Sequence, residues 1–140
     1  MSGVLLDTNI LSELMRPEPD AAVCSFVEGL PEVWLSVITV HELDYGINRL
    51  PEGARRERLA NKLTELSETY ADRIVLIDLR VAAIAARFRA DGDRCGRRVH
   101  LADALIAACA HSVSAAVATR DLGGFETTGI ALIDPWQRRS

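Results

Sequence analysis

Four acidic residues, Asp7, Glu42, Asp103 and Asp121, have a type and spacing that could do chemistry. Asp7 and Asp121 each follow a short apolar run of the kind that forms a buried strand. Glu42 and Asp103 each lie about one turn inside a segment with helical periodicity. In parallel sheets, ligands bind where the carboxyl ends of the strands meet. Four carboxylates at that edge would repel one another, and a hard divalent cation such as Mg²⁺ or Mn²⁺ would remove the repulsion.

Each of these residues also has a purely structural interpretation. Asp7 could cap the helix that follows it, Glu42 could complete a capping box with Thr39, and Asp121 could stabilise a turn. Asp103 lies in the most apolar helical segment, where a buried carboxylate needs a hydrogen-bond donor, a proton or a cation. A hydrogen bond to the helix N-terminus is its structural alternative. The order strand–Asp, helix–Glu, helix–Asp, strand–Asp is what favours a joint site.

Apolar runs alternate with helical segments along the chain. Strands are predicted at residues 4–6, 33–36, 74–77, 115–118 and 131–133. Helices are predicted at residues 8–15, 19–28, 39–50, 54–70, 81–90 and 101–111, with a glycine- and arginine-rich loop at 91–98. Strands that are apolar throughout are buried on both faces, so the pattern predicts an α/β fold whose mainly parallel sheet is covered by helices on both sides.

Length and composition indicate one globular domain spanning residues 1–140. A chain of 140 residues with 49% hydrophobic and 26% charged residues is unlike a disordered protein. No apolar run approaches the roughly 18 residues of a membrane span, and the first residues lack the basic region of a signal peptide. Three cysteines, an odd number, form no CxxC pair, so a disulfide framework is not expected. The three histidines have no HxxxH or HxxH spacing, so a zinc site is not expected either. These features predict a cytoplasmic protein that does not contact a membrane.

The charge is unevenly distributed. The net charge of −4 excludes a strongly basic, histone-like protein. Residues 1–48 carry eight acidic residues and one basic residue, whereas residues 79–100 carry six arginines and two aspartates. Arginine binds phosphate through a planar fork of donors, so residues 80–98 contain candidates for contacts with a nucleic-acid backbone, although a codon bias toward arginine would give the same composition.

Several segments together resemble PIN-domain proteins of the VapC/FitB toxin type. The resemblance covers essentially the whole chain in the expected order. It rests on V-L-L-D-T-N-I-L-S-E-L-M-R-P-E-P-D (4–20), L-S-V-I-T-V-H-E-L-D-Y-G-I-N-R-L-P-E-G (35–53), H-L-A-D-A-L-I-A-A (100–108), V-A-T-R-D (117–121), F-E-T-T-G-I (125–130) and I-D-P-W (133–136). It implies a three-layer α/β/α PIN-like domain with a central, mostly parallel sheet of four to five short strands.

The resemblance also implies an activity and a site. The family consists of Mg²⁺- or Mn²⁺-dependent endoribonucleases that act as the toxins of type II toxin–antitoxin pairs. The family's carboxylate quartet would correspond to Asp7, Glu42, Asp103 and Asp121, with Asp7 and Asp103 as direct metal ligands. Thr119 matches a hydroxyl position beside the last acidic residue, and Asn9 a polar position after the first.

Two departures from the family pattern concern the site. The family commonly has Thr-x-Asn followed by Asp-Phe, but here Asp121 stands in the place of the Asn and Gly124 precedes Phe125. We therefore expect Asp121 to substitute for a carboxylate that is usually three residues later. In addition, His41 precedes Glu42 where a small residue is usual, which a helix face should tolerate.

The expected partners follow from the same resemblance. They are an RNA substrate, a small DNA-binding antitoxin whose C-terminal tail lies across the acidic groove, and a second copy of the chain in a homodimer. The apolar faces of the third and fourth helices are the expected contact between copies. The alternative is a catalytically silent PIN-fold module that binds RNA or antitoxin without cutting. A phosphotransferase with Asp7 as nucleophile ranks lower, because Asn9 stands where such an enzyme has a second aspartate, and a receiver-type domain lacks a suitably placed lysine.

Overall fold

Within residues 3–137, which the computed structural model describes, five short strands form one parallel sheet. The strands are β1 (Gly3–Leu6), β2 (Val33–Ser36), β3 (Ile74–Val75), β4 (Ala115–Ala118) and β5 (Leu132–Ile133). They lie in the order β3-β2-β1-β4-β5, and every neighbouring pair is parallel. All five carboxyl ends therefore lie along one edge of the sheet.

Six α-helices in the same range connect these strands. They are α1 (Thr8–Leu14), α2 (Ala21–Glu28), α3 (Val37–Asn48), α4 (Ala54–Thr69), α5 (Leu79–Arg94) and α6 (Leu101–Ser112). Short 3₁₀ turns are formed by Ala71–Arg73, Leu122–Gly124, Glu126–Thr128 and Pro135–Gln137. Asp20 caps α2 by accepting hydrogen bonds from the backbone N–H groups of Ala22 and Val23.

The central strand contributes to two cores, one on each face of the sheet. Leu5 packs with residues of α5, α6 and β4, whereas Val4 and Leu6 pack with residues of α1 and α2. Because adjacent side chains of a strand point to opposite faces, an apolar strand of this kind needs helices on both sides. The predicted three-layer α/β/α arrangement is confirmed.

Helices α3 and α4 bury their apolar faces against each other. Ile47 and Leu63 are buried in one cluster with Met15, and Leu43 and Leu59 pack around it. Part of the apolar surface of these two faces is therefore used inside the protomer. The expectation that they also form the contact between copies of the chain stays a prediction.

Helix α3 begins earlier than predicted. Its N-cap is Ser36, whose hydroxyl oxygen accepts a hydrogen bond from the backbone N–H of Ile38 at 3.2 Å. The capping box of Thr39 and Glu42 is therefore wrong: both residues lie inside the helix, and Thr39 is fully buried. Because β2 passes directly into α3, Glu42 lies on the second helical turn rather than the first.

Two boundaries near the arginine-rich segment also differ. Helix α5 extends from Leu79 to Arg94, so residues 91–94 are helical and the loop is limited to residues 95–100. Strand β3 ends at Val75, and Leu76 and Leu79 are 67% and 88% exposed. The apolar run at 74–77 is thus only half strand, and its second half adds to an exposed apolar surface at the start of α5.

Two further expectations from the sequence concern membrane-spanning segments and disulfide bonds. Every helix in the described part of the chain is too short or too polar to span a bilayer. Cys24, Cys95 and Cys109 are all free, as expected. Cys109 is buried, and its thiol lies 3.3 Å from the Ser36 hydroxyl.

Two helical glycines should respond oppositely to alanine. A methyl group on Gly92 in α5 would lie 2.5 Å from the Arg97 carbonyl oxygen and 2.7 Å from Val99 Cγ2, whereas one on Gly46 in α3 meets no atom within 4 Å. We expect Gly92→Ala to lower the free energy of unfolding by about 1–3 kcal/mol through overpacking. Gly46→Ala should raise it by about 0.5–1 kcal/mol through helix propensity. Urea denaturation measures both, and a Gly92→Ala protein as stable as the wild type would contradict the packing.

Candidate active site

The topology brings the four acidic residues to the carboxyl edge of the sheet. Asp7 directly follows β1, and Asp121 follows the neighbouring strand β4 by three residues. Glu42 lies on α3, which starts where β2 ends, and Asp103 lies in the first turn of α6. Strands β2, β1 and β4 are adjacent, so the residues that follow them share one edge.

Asp7 caps helix α1 and also lies inside the acidic cluster. Its side chain is 4% exposed, and Oδ1 accepts a hydrogen bond from the backbone N–H of Ile10 at 3.1 Å. The Thr119 hydroxyl also bonds to it. Burial raises the pKa of Asp7 to about 6, and the negative charge of Asp103 adds to the rise, although the hydrogen bonds oppose it. The capping interpretation is thus confirmed. The burial of Asp7 nevertheless destabilises its ionised form.

Asp103 is the centre of the cluster electrostatically. Burial raises its pKa first, the negative charges of Asp121 and Glu42 raise it further, and His100 opposes them. Among residues 3–137, no group donates a hydrogen bond to its carboxylate, so the predicted alternative of a bond to the helix N-terminus is not seen. A half-buried carboxylate without a donor, facing two others, is arranged for a proton or a cation.

Asp121 approaches Asp103 across Gly124. The backbone N–H of Asp121 donates to Thr119 Oγ1 at 2.9 Å, and Asp121 Oδ1 accepts from the Gly124 N–H at 3.2 Å, which caps the turn Leu122–Gly124. A methyl group on Gly124 would lie 2.8 Å from Asp121 Oδ2 and 2.9 Å from Asp103 Oδ2. The glycine therefore leaves open the space between these two carboxylates.

Glu42 is held by a residue that the sequence did not single out. The Thr8 hydroxyl donates to Glu42 Oε1 at 2.6 Å and lies 3.4 Å from the Thr39 hydroxyl. Asn9, the predicted polar residue, is exposed, and within the described residues its side chain makes no hydrogen bond to the cluster. The hydroxyl directly after the capping aspartate was the available signal, because the first helical residue of α1 faces α3.

The donor set fits a hard divalent cation, but the present arrangement is incomplete. In the described part of the chain, no three His, Cys, Asp or Glu side chains are placed to hold one ion together as they stand. The available donors are carboxylate and hydroxyl oxygens, which Mg²⁺ and Mn²⁺ prefer. Asp121 is exposed, so a change of its rotamer costs only the exposed hydrogen bond from the Gly124 N–H and could bring an oxygen toward Asp103.

The arginine-rich segment is partly engaged in local ion pairs. Arg94 pairs with Asp91 at 2.6 Å, and Arg97 pairs with Glu126. Both pairs are exposed, so each holds its arginine only weakly. Arg80, Arg87, Arg89 and Arg98 are exposed on α5 and the loop that follows it.

Comparisons with known proteins agree with this combination of an α/β sheet and an acidic carboxyl edge. The family model of the PIN domain matches residues 4–130. The chain is 39% identical over 136 residues to Toxin FitB of Neisseria gonorrhoeae (strain ATCC 700825 / FA 1090), covering 95% of this chain and 98% of that protein. It is 37% identical over 137 residues to VapC ribonuclease Y4jK of Sinorhizobium fredii (strain NBRC 101917 / NGR234), covering 96% and 98%. The chain belongs to the PIN-domain family.

Solved structures give the same result. The crystal structure of FitAcB from Neisseria gonorrhoeae superposes with a TM-score of 0.89 at 38% identity, covering 96% of this chain and 99% of that one. The structure of FitAB bound to an IR36 DNA fragment also gives 0.89, at 36% identity, and covers 98% of both chains. The predicted resemblance to PIN-domain proteins of the VapC/FitB type is confirmed. Membership of the PIN-domain family supports the interpretation of this chain as a nuclease.

Proposed function

We propose that this chain is a Mg²⁺- or Mn²⁺-dependent endoribonuclease and the toxic component of a type II toxin–antitoxin pair. One observation carries the proposal. Asp103 faces Asp121 and Glu42 without a hydrogen-bond donor among the described residues, and its charge helps to raise the pKa of buried Asp7. A cluster of this kind stabilises the folded protein poorly but suits a cation.

The four carboxylates would hold the cation unequally. Asp7 and Asp103 are the proposed direct ligands, since Asp7 is buried, Asp103 is half-buried, and both have raised pKa values. Asp121 would ligate directly or through water after a rotamer change, and Glu42 would bind a second ion or orient the attacking water. When bound, such an ion supplies a water of lowered pKa and neutralises negative charge that develops on the phosphate.

The chain's own hydroxyls would position these carboxylates. The Thr8 hydroxyl donates a hydrogen bond to Glu42 Oε1. The other carboxylate oxygen of Glu42 would then accept a proton from a water in the site. Thr119 bonds to the Asp7 carboxylate and to the Asp121 backbone, so one buried side chain fixes both ends of the cluster. Asn9 stays a proposed contact for the scissile phosphate, since its exposed side chain is free to reach a ligand.

Cleavage of labelled RNA by the purified chain tests the activity. We expect endonucleolytic products with Mg²⁺ or Mn²⁺ and none with excess EDTA. The placement of the side chains, in which no three in the described range hold one ion, favours the catalytically silent module as the alternative. That module would bind RNA without cutting it at any metal concentration, so the same assay with a binding readout separates the two.

The proposed partners are a small DNA-binding antitoxin, the RNA substrate and a second copy of the chain in the cytoplasm. The support for the antitoxin is the similarity to FitB in the FitAcB complex and in FitAB bound to DNA. The exposed apolar surface of Leu76, Ile77 and Leu79 is a proposed contact between copies, beside the α3 and α4 faces. The homodimer is tested by light scattering, and a monomer at all concentrations would reject it. The antitoxin is tested by coexpression with each small neighbouring reading frame, and it is rejected if none of them suppresses the toxicity of the chain.

Removal of the Thr8 hydroxyl should impair cleavage without unfolding the protein. We expect Thr8→Val to lower kcat about 10-fold or more, because groups that orient metal ligands commonly contribute about 10–100-fold. Thr8→Ser keeps the donor to Glu42 and should stay close to the wild type. The two variants are compared by single-turnover RNA cleavage, and equal rates for both would contradict a positioning role for the hydroxyl.

A further inference from the structure

One exposed face of α3 carries a row of flat and cationic side chains. His41, Tyr45 and Arg49 are spaced four residues apart, which places them along one side of the helix. The rings of His41 and Tyr45 are nearly parallel at 16°, with centroids 6.5 Å apart. The Arg49 guanidinium carbon lies 5.3 Å from the Tyr45 ring centroid. All three side chains are exposed, and Tyr45 is 58% exposed.

This row borders the acidic cluster through a shared cavity. An open cavity of about 550 Å³ is lined by Glu42, by the row and by Leu101 and Ala102 at the start of α6. Gly46 also lines it, four residues after Glu42 on the same face. Because a side chain at Gly46 would meet no other atom within 4 Å, its absence leaves open space beside Glu42. A ligand held on the row would therefore lie next to Glu42, one of the four carboxylates.

We propose that the row His41–Tyr45–Arg49 is a subsite for one nucleotide of single-stranded RNA, next to the bond that is cleaved. The base stacks on the aromatic rings, and Arg49 binds a backbone phosphate. This inference rests on the proposed ribonuclease activity and adds to it a residue that holds the substrate.

The chemistry of the row favours a nucleotide over a purely apolar partner. Unpaired bases stack on aromatic side chains, and this stacking tolerates any base because every base has a flat face. Arg49 can bind a backbone phosphate. Residues 1–48 carry a strong acidic excess and contain one other cation, Arg16, so Arg49 supplies the positive charge that this part of the chain otherwise lacks. An interface between protein chains would need neither a fixed cation nor the opening toward Glu42.

Binding of a short fluorescein-labelled single-stranded RNA of mixed sequence tests the subsite. Anisotropy is measured in EDTA and in the Asp103→Asn background, which is expected to cleave more than about 10²-fold more slowly than the wild type. We expect Tyr45→Leu, which keeps apolar bulk but removes the ring, to weaken binding about 10-fold, and Tyr45→Phe to stay within about twofold. In otherwise wild-type protein, Tyr45→Leu should raise KM and leave kcat nearly unchanged.

A series of RNAs with one abasic nucleotide at each position identifies the stacked base. At one position the missing base should weaken binding to Tyr45 protein and have no effect on the Tyr45→Leu protein. Equal losses at every position in both proteins would overturn the subsite. A Tyr45→Leu protein that dissociates in light scattering and loses RNA binding equally with and without the base would show a contact between copies instead.

Different results would overturn the nucleotide subsite and the ribonuclease activity on which it rests. Wild-type protein that cleaves RNA while Tyr45→Leu binds it as tightly as Tyr45 protein overturns the subsite alone. Wild-type protein that neither binds nor cleaves RNA overturns the proposed function and the subsite together.

Discussion

Replacement of Asp103 by asparagine should lower the rate of Mg²⁺-dependent RNA cleavage by more than about 10²-fold. Groups that merely orient a metal ligand commonly contribute about 10–100-fold, and Asp103 is proposed as a ligand itself. Its carboxylate faces Asp121 and Glu42 and receives no hydrogen bond from the described residues, so the native fold does not depend on it. We therefore expect the loss of activity without a loss of stability.

Asp93→Asn is a matched control for this substitution. Asp93 is an exposed aspartate of α5 whose charge is not among those that act on Asp7 or Asp103, and its amide variant should cleave RNA at the wild-type rate. Rates are measured under single-turnover conditions with urea denaturation of each protein in parallel. Full activity of Asp103→Asn at saturating Mg²⁺ would remove this residue from the site.

Replacement of Asp7 by asparagine should stabilise the metal-free protein. The folded state holds the pKa of Asp7 at about 6, above the ordinary value of 3.8, so folding favours the protonated carboxyl. Stability contributed by this group is therefore present at low pH and is lost as the pH rises from about 4 through 6. At pH 7 the ionised group destabilises the fold by about 3 kcal/mol, and the neutral amide removes that effect while Oδ1 still caps α1.

The comparison is made by urea denaturation in EDTA at pH 7 and at pH 4. Asp7→Asn should be more stable than the wild type by about 3 kcal/mol at pH 7 and nearly equal to it at pH 4. Asp121→Asn, at an exposed position of the same cluster, should change stability by less than about 0.5 kcal/mol. Added Mg²⁺ should narrow the gap by stabilising only the wild type. An Asp7→Asn protein that is less stable at pH 7 would show that the buried carboxylate is supported rather than strained.

The placement of Asp7 and Asp121 could be predicted from local sequence. Each follows an apolar run that can only be a buried strand, and parallel strands end together, so the shared edge followed from pattern alone. Asp103 was also singled out, because a carboxylate in the Ala- and Leu-rich α6 needs a donor, a proton or a cation, but the choice between a site and a hydrogen bond to the helix N-terminus stayed open. The arginine-rich segment next to it was recognised as well, although not that two of its arginines pair with local carboxylates.

The contacts around Glu42 could not be predicted in the same way. Ser36 and Thr39 are both good N-caps, and the choice between them depends on β2 passing into α3 without a loop. That shift of three residues changes which side of α3 faces α1. It brings Thr8 rather than Asn9 to Glu42, a contact between residues 34 positions apart that no local pattern contains.

The start of α5 at Leu79 was not predicted, for a related reason. Leu76 and Leu79 are apolar but exposed, and hydrophobic periodicity assigns such residues to a core. Helix α5 begins where Asp78 accepts a hydrogen bond from the Val81 backbone N–H at 2.9 Å, and that cap ends the strand-like run earlier than its composition indicates.

Titration of the purified protein with Mn²⁺ by calorimetry tests the central claim that these carboxylates form a cation site. The wild type should bind at least one Mn²⁺ ion at pH 7 and bind it more weakly as the pH falls toward 5, because the raised pKa values of Asp7 and Asp103 let protons compete with the ion for these carboxylates. Asp7→Asn and Asp103→Asn should each lose that binding, and Asp93→Asn should keep it. Equal Mn²⁺ binding by all four proteins, or none by the wild type, would contradict the account.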